Sequence, residues 1–144
     1  TVVGSHTANT TRQLSELLAQ PGTEAIELNV TKLHSDATRT VTDAIRQMQD
    51  AVIAGLQPVL FTSRRVQGTD ASAADALAFS RRVSDALMAV VQAFPARPRA
   101  VIAKGGITSS DVATQGLGMK RALILGQIRP SIPVVLTAAE SRFP

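Results

Sequence analysis

The sequence predicts an α/β fold: a mainly parallel sheet with helices on both faces, in a single domain of 144 residues. Three observations predict it. Continuous apolar runs of strand length recur at Pro58-Val59-Leu60-Phe61, Ala100-Val101-Ile102-Ala103, Ala122 to Leu125 and Pro133 to Leu136, and such runs read as strands buried on both faces. Segments of helical spacing separate strands through most of the chain, and that alternation is the pattern of a sheet covered by helices. The hydrophobic fraction is 44%, yet the aromatics are only four Phe. A core of Ala, Val, Leu and Ile suits helices packed on a sheet better than a β-sandwich, and the chain is long enough to bury one.

Val2-Val3 reads as a short opening strand. A helix is expected from near Thr10, where Thr10 and Gln13 have capping-box spacing and Leu14, Leu17 and Leu18 form the apolar stripe; Pro21-Gly22 stops it. Ile26, Leu28 and Val30 alternate with Glu27, Asn29 and Thr31, the pattern of a half-buried strand near a sheet edge. His34 falls on a loop, and Ser35-Asp36 lead into a helix carrying Val41, Ile45, Met48 and Val52 at steps of four, three and four, with Gly55 as its C-terminal cap. The strand Pro58 to Phe61 ends in Thr62-Ser63-Arg64, and residues 65 to 71 form a polar loop around Gly68. A long helix is predicted from Ser72 to Ala93, with Ala76, Val83, Leu87, Val90, Val91 and Phe94 on one face, stopped by Pro95 and Pro98. Three strand ends then carry small or polar residues: Gly4-Ser5-His6, Thr62-Ser63-Arg64 and Lys104-Gly105-Gly106. In parallel register they converge on one rim, where ligands of such sheets bind.

Composition excludes several functions. The net charge of +4 comes from scattered Arg and Lys without a run of five, and the scarcity of aromatics removes the stacking platforms of single-strand binders, so no nucleic-acid partner is expected. Attraction for anionic small molecules remains. There is no cysteine. The two histidines lack metal-ligand spacing, so no metal ligands are assigned. No stretch approaches the ~18 apolar residues of a membrane span, and the N-terminus is not a signal peptide; a soluble protein without a membrane partner is expected. The chain starts at Thr1 without an initiator Met and ends at Arg142-Phe143-Pro144. A piece of a longer protein is the expectation, removal of Met before Thr1 being the other account.

The stretch Arg99 to Gly118, RAVIAKGGITSSDVATQGLG, carries the chemistry. An apolar strand meets Gly105-Gly106, then Thr108, Ser109, Ser110 and Asp111, then a short helical pattern. Thr108 and Asp111 have capping-box-like spacing, which makes Thr108 a candidate N-cap. The first N–H groups of a helix lack intrahelical partners and lie at its positive end, and two glycines let a ligand approach the backbone. The order is that of an anion cradle, phosphate being the usual anion. It is equally that of a tight strand-to-helix turn that binds nothing. It is neither a P-loop nor a GxGxxG fingerprint.

VVGSHTANTTRQL, PVLFTSRR and VIAKGGITSSDVATQGLGMKRALILGQIRPSIPVV, in that order and over nearly the whole chain, resemble the C-terminal nucleotide-binding domain of the four-carbon acid sugar kinases. GGITSSD followed by LGQI is the most specific part. The resemblance implies a two-domain cytoplasmic enzyme that phosphorylates a four-carbon sugar acid such as threonate, erythronate or an oxo-tetronate. ATP, with Mg2+, would be held by residues 1–144; the sugar acid and the catalytic base would belong to an N-terminal domain, so this stretch alone would be inactive and contributes no catalytic residue. A homo-oligomer is compatible. Ser5, Gly105, Gly106, Ile107 and Thr108 fall on the family's ATP positions. The family continues into a Pro-Gly-Asn-x-Gly loop that this chain stops before, and it usually has Gly-Val-Pro where Ser131-Ile132-Pro133 stands here.

Other residues divide between readings. His6 is a rim residue or a plain surface histidine. Arg64 is read as a solvated surface arginine in preference to a phosphate partner, Lys104 equally as either, and Asp111 as a helix-terminal carboxylate in preference to a magnesium ligand. A Ser-His-Asp triad is discounted because no GxSxG elbow exists. The rival from another class is a non-catalytic α/β module binding an anion or nucleotide.

Overall fold

The computed structural model describes residues 1–64 and 73–143. The elements run β1 (Val2–Val3), α1 (Ala8–Leu18), β2 (Thr23–Leu28), α2 (Val30–Ser35), α3 (Ala37–Ile53), β3 (Gln57–Thr62), α4 (Ala73–Gln92), β4 (Ala103–Lys104) and α5 (Gly106–Asp111), which continues as a π-helical turn (Val112–Gly116), then β5 (Ala122–Arg129) and β6 (Ile132–Thr137). The first four strands form one parallel sheet in the order β2-β3-β1-β4. Val2 lies opposite Leu60 and Ala103, and Val3 opposite Phe61 and Lys104.

Alternation along the strands divides the core into two layers. Val3, Val59 and Phe61 pack with Leu14 of α1 on one face. Val2, Ile26, Leu28 and Leu60 pack on the other with Met48 of α3 and with Leu87, Met88, Val90 and Val91 of α4, joined by Val112 and Leu117. The predicted fold class therefore holds, with helices on both faces and β2 at an edge. Helix α1, which follows β1, packs on one face, whereas α4 and the π-helical turn continuing α5, which follow its neighbours β3 and β4, pack on the other. A crevice opens at such a reversal, at the carboxyl ends of the strands.

Several elements differ from expectation. The run Ala122 to Leu125 is not buried: β5 is exposed along its length and, among the described residues, pairs only with β6, antiparallel. The antiparallel pairing follows from connection length. A parallel return needs a crossover of about a dozen residues, and only Pro130-Ser131 separates the two strands; Ser131 takes φ 66° and its N–H donates to Gln127 Oε1 at 3.1 Å. Of the run Ala100 to Ala103 only Ala103 is strand, and Val101 and Ile102 are exposed, because β4 is an edge paired on one side. Val30 opens α2 instead of ending β2, since Asn29 caps that helix by accepting from the Lys32 N–H at 2.9 Å. His34 is accordingly helical, edge-to-face with Phe79. The first helix is capped by Thr7, not Thr10. Ala76 is exposed; the burial of α4 is concentrated from Ala86 to Val91. The polar loop around Gly68 and Ser72, the expected start of α4, lie outside the described residues.

Candidate functional site

The three small or polar strand ends do meet on one rim, because β3, β1 and β4 are adjacent and parallel. The Gly4 N–H donates to Lys104 O at 3.2 Å, which extends the ladder into the turn. Gly4 also presses its α-carbon against Thr108: a Cβ there would stand 2.1 Å from Thr108 Oγ1. Gly105 has φ 116°, a value that favours glycine, and a Cβ on it would meet Ser5 Cβ at 3.1 Å. These two glycines bring the turn after β1 and the turn after β4 into contact.

Helix α5 begins directly at this contact. Its first helical bond runs from Ser109 N–H to Gly105 O at 2.8 Å. The N–H groups of Gly106, Ile107 and Thr108 precede that bond and have no helical acceptor. Gly105 is the N-cap residue and makes no side-chain cap. The expectation that Thr108 is the N-cap is thus corrected: it is a buried residue of the first turn, its hydroxyl set against Gly4 and Gly105. Ser109 Oγ instead donates to Ala103 O at 3.1 Å and ties the helix to its strand. Gly106 is exposed with no atom within 4 Å of a built Cβ, and Ile107 is 79% exposed. Asp111 is engaged as a brace, accepting a short bond from Ser84 Oγ of α4 and a long one, 3.4 Å, from Gln115 Nε2.

On the β1 side, a chain of hydroxyls leads to Ser5. Thr7 Oγ1 donates to Thr10 Oγ1 at 2.9 Å, and Thr10 Oγ1 donates to Ser5 Oγ at 3.2 Å. Thr7 Oγ1 also caps α1 by accepting from the Thr10 N–H. With Ser5 Oγ accepting, its own hydrogen remains for another acceptor, and none is found among the described residues. Ser63 turns the other way: it donates to Glu27 Oε1 at 2.6 Å and accepts from the Val30 N–H, so it braces β2 to β3.

Arg64 is the residue that the sequence undervalued. It is not a solvated surface arginine. Its Nη2 donates to Ser5 O at 2.6 Å and to Thr11 Oγ1 at 2.8 Å, and its Nε to the same Thr11 hydroxyl at 3.3 Å. Thr11 and Arg64 are far apart in sequence, so no local signal could have revealed the pair. Burial lowers the pKa of Arg64 below the ordinary arginine value, which leaves it charged at any ordinary pH. His6 is exposed, with Nε2 3.5 Å from Thr62 Oγ1. Its pKa is lowered, first by burial and second by the charge of Arg64, so at neutral pH it is neutral. Lys104 is exposed at the end of β4.

A cavity of about 520 Å3 lies at the opposite end of the sheet, lined by Met48, Val52, Leu56, Ile102 and Phe143. It is mainly apolar and far from the loose N–H groups, so the carboxyl rim is the better place for an anion. No group of three or more His, Asp or Glu side chains suited to a metal occurs among the described residues. Nor, among these residues, is any helix long and apolar enough to cross a membrane.

The family model described as "nucleotide-binding C-terminal domain" matches residues 1–144. The chain belongs to that family. This is the domain found in four-carbon acid sugar kinases, which bears out the resemblance read from the sequence. No curated protein and no solved structure matches the chain significantly. At the carboxyl rim, Gly106 and Ile107 are exposed, Ser5 is half-buried and Thr108 is buried.

Proposed function

We propose that this chain is the ATP-holding domain of a two-domain cytoplasmic kinase that phosphorylates a four-carbon sugar acid of the threonate, erythronate or oxo-tetronate kind. One observation carries the reading most strongly. Two independent sets of unused donors, the Ser5 hydroxyl and the N–H groups of Gly106, Ile107 and Thr108, are brought to one rim by the Gly4–Thr108 and Gly105–Ser5 contacts. A polyphosphate offers acceptors to both sets at once.

Phosphoryl transfer needs positioning and charge stabilisation more than covalent help from the protein. In this reading the α5 N–H groups and Ser5 fix the phosphate chain, and exposed Ile107 offers an apolar edge to the rest of the nucleotide. Magnesium arrives with the phosphates: the rim presents neutral donors and cations, while Asp111 is occupied by Ser84 and Gln115. The sugar acid and the base that activates its hydroxyl belong to the other domain.

The test is a titration of the chain with Mg-ATP and ADP, following backbone amide shifts. Shifts concentrated at Ser5 and Gly105 to Ser110 are expected. Gly106→Val should remain folded, because a side chain there enters open space, and should lose nucleotide binding. Wild-type ATP affinity in folded Gly106→Val would sink the cradle. The sugar acid is then tested separately, by screening four-carbon acids against the full-length enzyme.

A further inference from the structure

The rim contains one polar atom that nothing yet described uses. Arg64 Nη1 is buried and has no hydrogen-bond partner. The other guanidinium nitrogens are held, Nε and Nη2 by Thr11 Oγ1, and Nη2 also by Ser5 O. A guanidinium is planar, with its five N–H groups in fixed directions. Nε and Nη2 share one edge, and that edge faces Thr11. Nη1 and Nη2 share the next edge, and the bond from Nη2 to Ser5 O places this edge against the turn after β1. The orphan N–H of Nη1 therefore lies beside Ser5, the residue whose own hydroxyl hydrogen is also unclaimed.

The electrostatics point the same way. Both acceptors of Arg64 are neutral, and none of the ion pairs among the described residues includes it. A partly buried charge balanced only by dipoles, with a desolvated donor left over, is an unfavourable arrangement in the free protein. An anionic oxygen at the β1–α1 turn would supply both the missing partner and the missing charge.

We propose that Arg64 is the charged phosphate-recognition residue of this rim, its Nη1 edge beside Ser5 taking a phosphoryl oxygen of a polyphosphate. The inference rests on the reading of the rim as a phosphate site, and it adds the charge that the cradle of N–H groups and one hydroxyl lacks. Because Nη1 is shielded from water, the contact forms only as the anion draws the guanidinium toward it, so Arg64 itself must change environment on binding. Arginine suits the task because its planar guanidinium can be held at Nε and Nη2 by Thr11 and Ser5 O while Nη1 keeps its donors for the phosphate.

The experiment uses the complete chain, wild type and the variants Arg64→Gln and Arg64→Lys, titrated with inorganic pyrophosphate, Mg-ATP and adenosine. Backbone amide shifts and the arginine Nε–Hε resonances are followed by NMR. The expected result is pyrophosphate binding to the wild type with a shift of the Arg64 Hε resonance. Arg64→Gln should weaken pyrophosphate and ATP by at least about tenfold, the scale of one charge-assisted hydrogen bond, and leave any adenosine binding unchanged. Arg64→Lys, which keeps the charge without the fork, should recover part of the loss. Wild-type pyrophosphate affinity in folded Arg64→Gln, or an Arg64 Hε resonance that stays put at saturation, overturns the proposal. The Hε measurement decides alone if Arg64→Gln fails to fold. A wild type that binds pyrophosphate through Arg64 but not ATP refutes the nucleotide reading and leaves Arg64 standing. ATP binding indifferent to Arg64 does the reverse, and a chain that binds neither refutes both.

Discussion

Replacing Gly4 with alanine would drive a methyl group into Thr108. The Cβ position lies 2.1 Å from Thr108 Oγ1, 3.2 Å from its Cβ and 3.3 Å from its Cγ2. Ordinary contact requires a displacement of about 1 Å between the end of β1 and the first turn of α5. Thr108 has little freedom to supply it: the residue is buried, branched at Cβ and already close to Gly105. Overpacking of this kind costs about 1–3 kcal/mol. With a urea slope of about 2 kcal/mol/M, the unfolding midpoint of Gly4→Ala should fall by roughly 0.5–1.5 M. Nucleotide affinity should fall with it, although Gly4 offers no donor, because the displaced α5 turn carries the N–H groups. The cause is isolated by a double-mutant cycle. Thr108→Ala removes the atom in the way, so the penalty of Gly4→Ala should shrink by about 1 kcal/mol or more in that background. Gly106→Ala is the control: nothing lies within 4 Å of its Cβ, and its stability should stay within about 0.5 kcal/mol of wild type. A Gly4→Ala protein with the wild-type midpoint, or one whose loss is the same with and without Thr108, would refute the steric argument.

Two further outcomes follow from the geometry. His6 has its pKa lowered in the folded chain, by burial and then by Arg64. The unfolded chain therefore binds the proton more readily, so the stability linked to His6 is complete above the unfolded pKa near 6.5 and is lost as pH falls through the folded value. Urea midpoints measured from pH 7 down to 5 should decline gently, the group being exposed, and His6→Gln should flatten that decline; an unchanged slope would show that His6 carries none of it. On the hairpin, Ile124 and Ile128 are 72% and 74% exposed. Ile124→Lys and Ile128→Lys should each leave the unfolding free energy from urea titration within about 0.5 kcal/mol of wild type and reduce self-association in light scattering. A large loss of stability would mean that β5 is packed against something.

The parts of the fold legible in the sequence were those set by local pattern. Steps of three and four residues located α3, alternation located β2 and its edge position, and proline with apolar composition located β3. What failed was nearly always a question of pairing. Leu123, Ile124 and Leu125 have the composition of a buried strand, but composition does not say whether a neighbour exists; the link is two residues long only because β5 runs on to Arg129 and β6 starts at Ile132, bounds that the apolar runs did not reveal. Capping failed by one turn at Thr7 and Thr10 because several hydroxyls stand in succession, and only the backbone geometry chooses among them. The rim itself was legible, since polar residues ending three apolar strands must converge once those strands are parallel. Arg64 was not, because its value lies in a bond to Thr11 and to a carbonyl that no spacing encodes.

The position of β1 explains why so short a strand organises the site. It is two residues long, yet it is hydrogen-bonded on both sides, to β3 and β4. Helix α1, which follows it, packs on the face opposite that taken by the helices after β3 and β4, so the turn after β1 cannot be covered by either neighbour's helix. Ser5 and His6 are thereby left at the crevice. A longer strand would carry them beyond the reach of their partners. At this length, Gly4 still meets Thr108 from the β4 side and Ser5 O still meets Arg64 from the β3 side. The turn after β1 is gripped from both neighbours, while the Ser5 hydroxyl hydrogen and Nη1 of Arg64 are left unclaimed. In the proposed reading these two groups join the N–H groups of α5 in holding a phosphate, and each is held in place by a strand other than the one that a ligand at α5 would first touch.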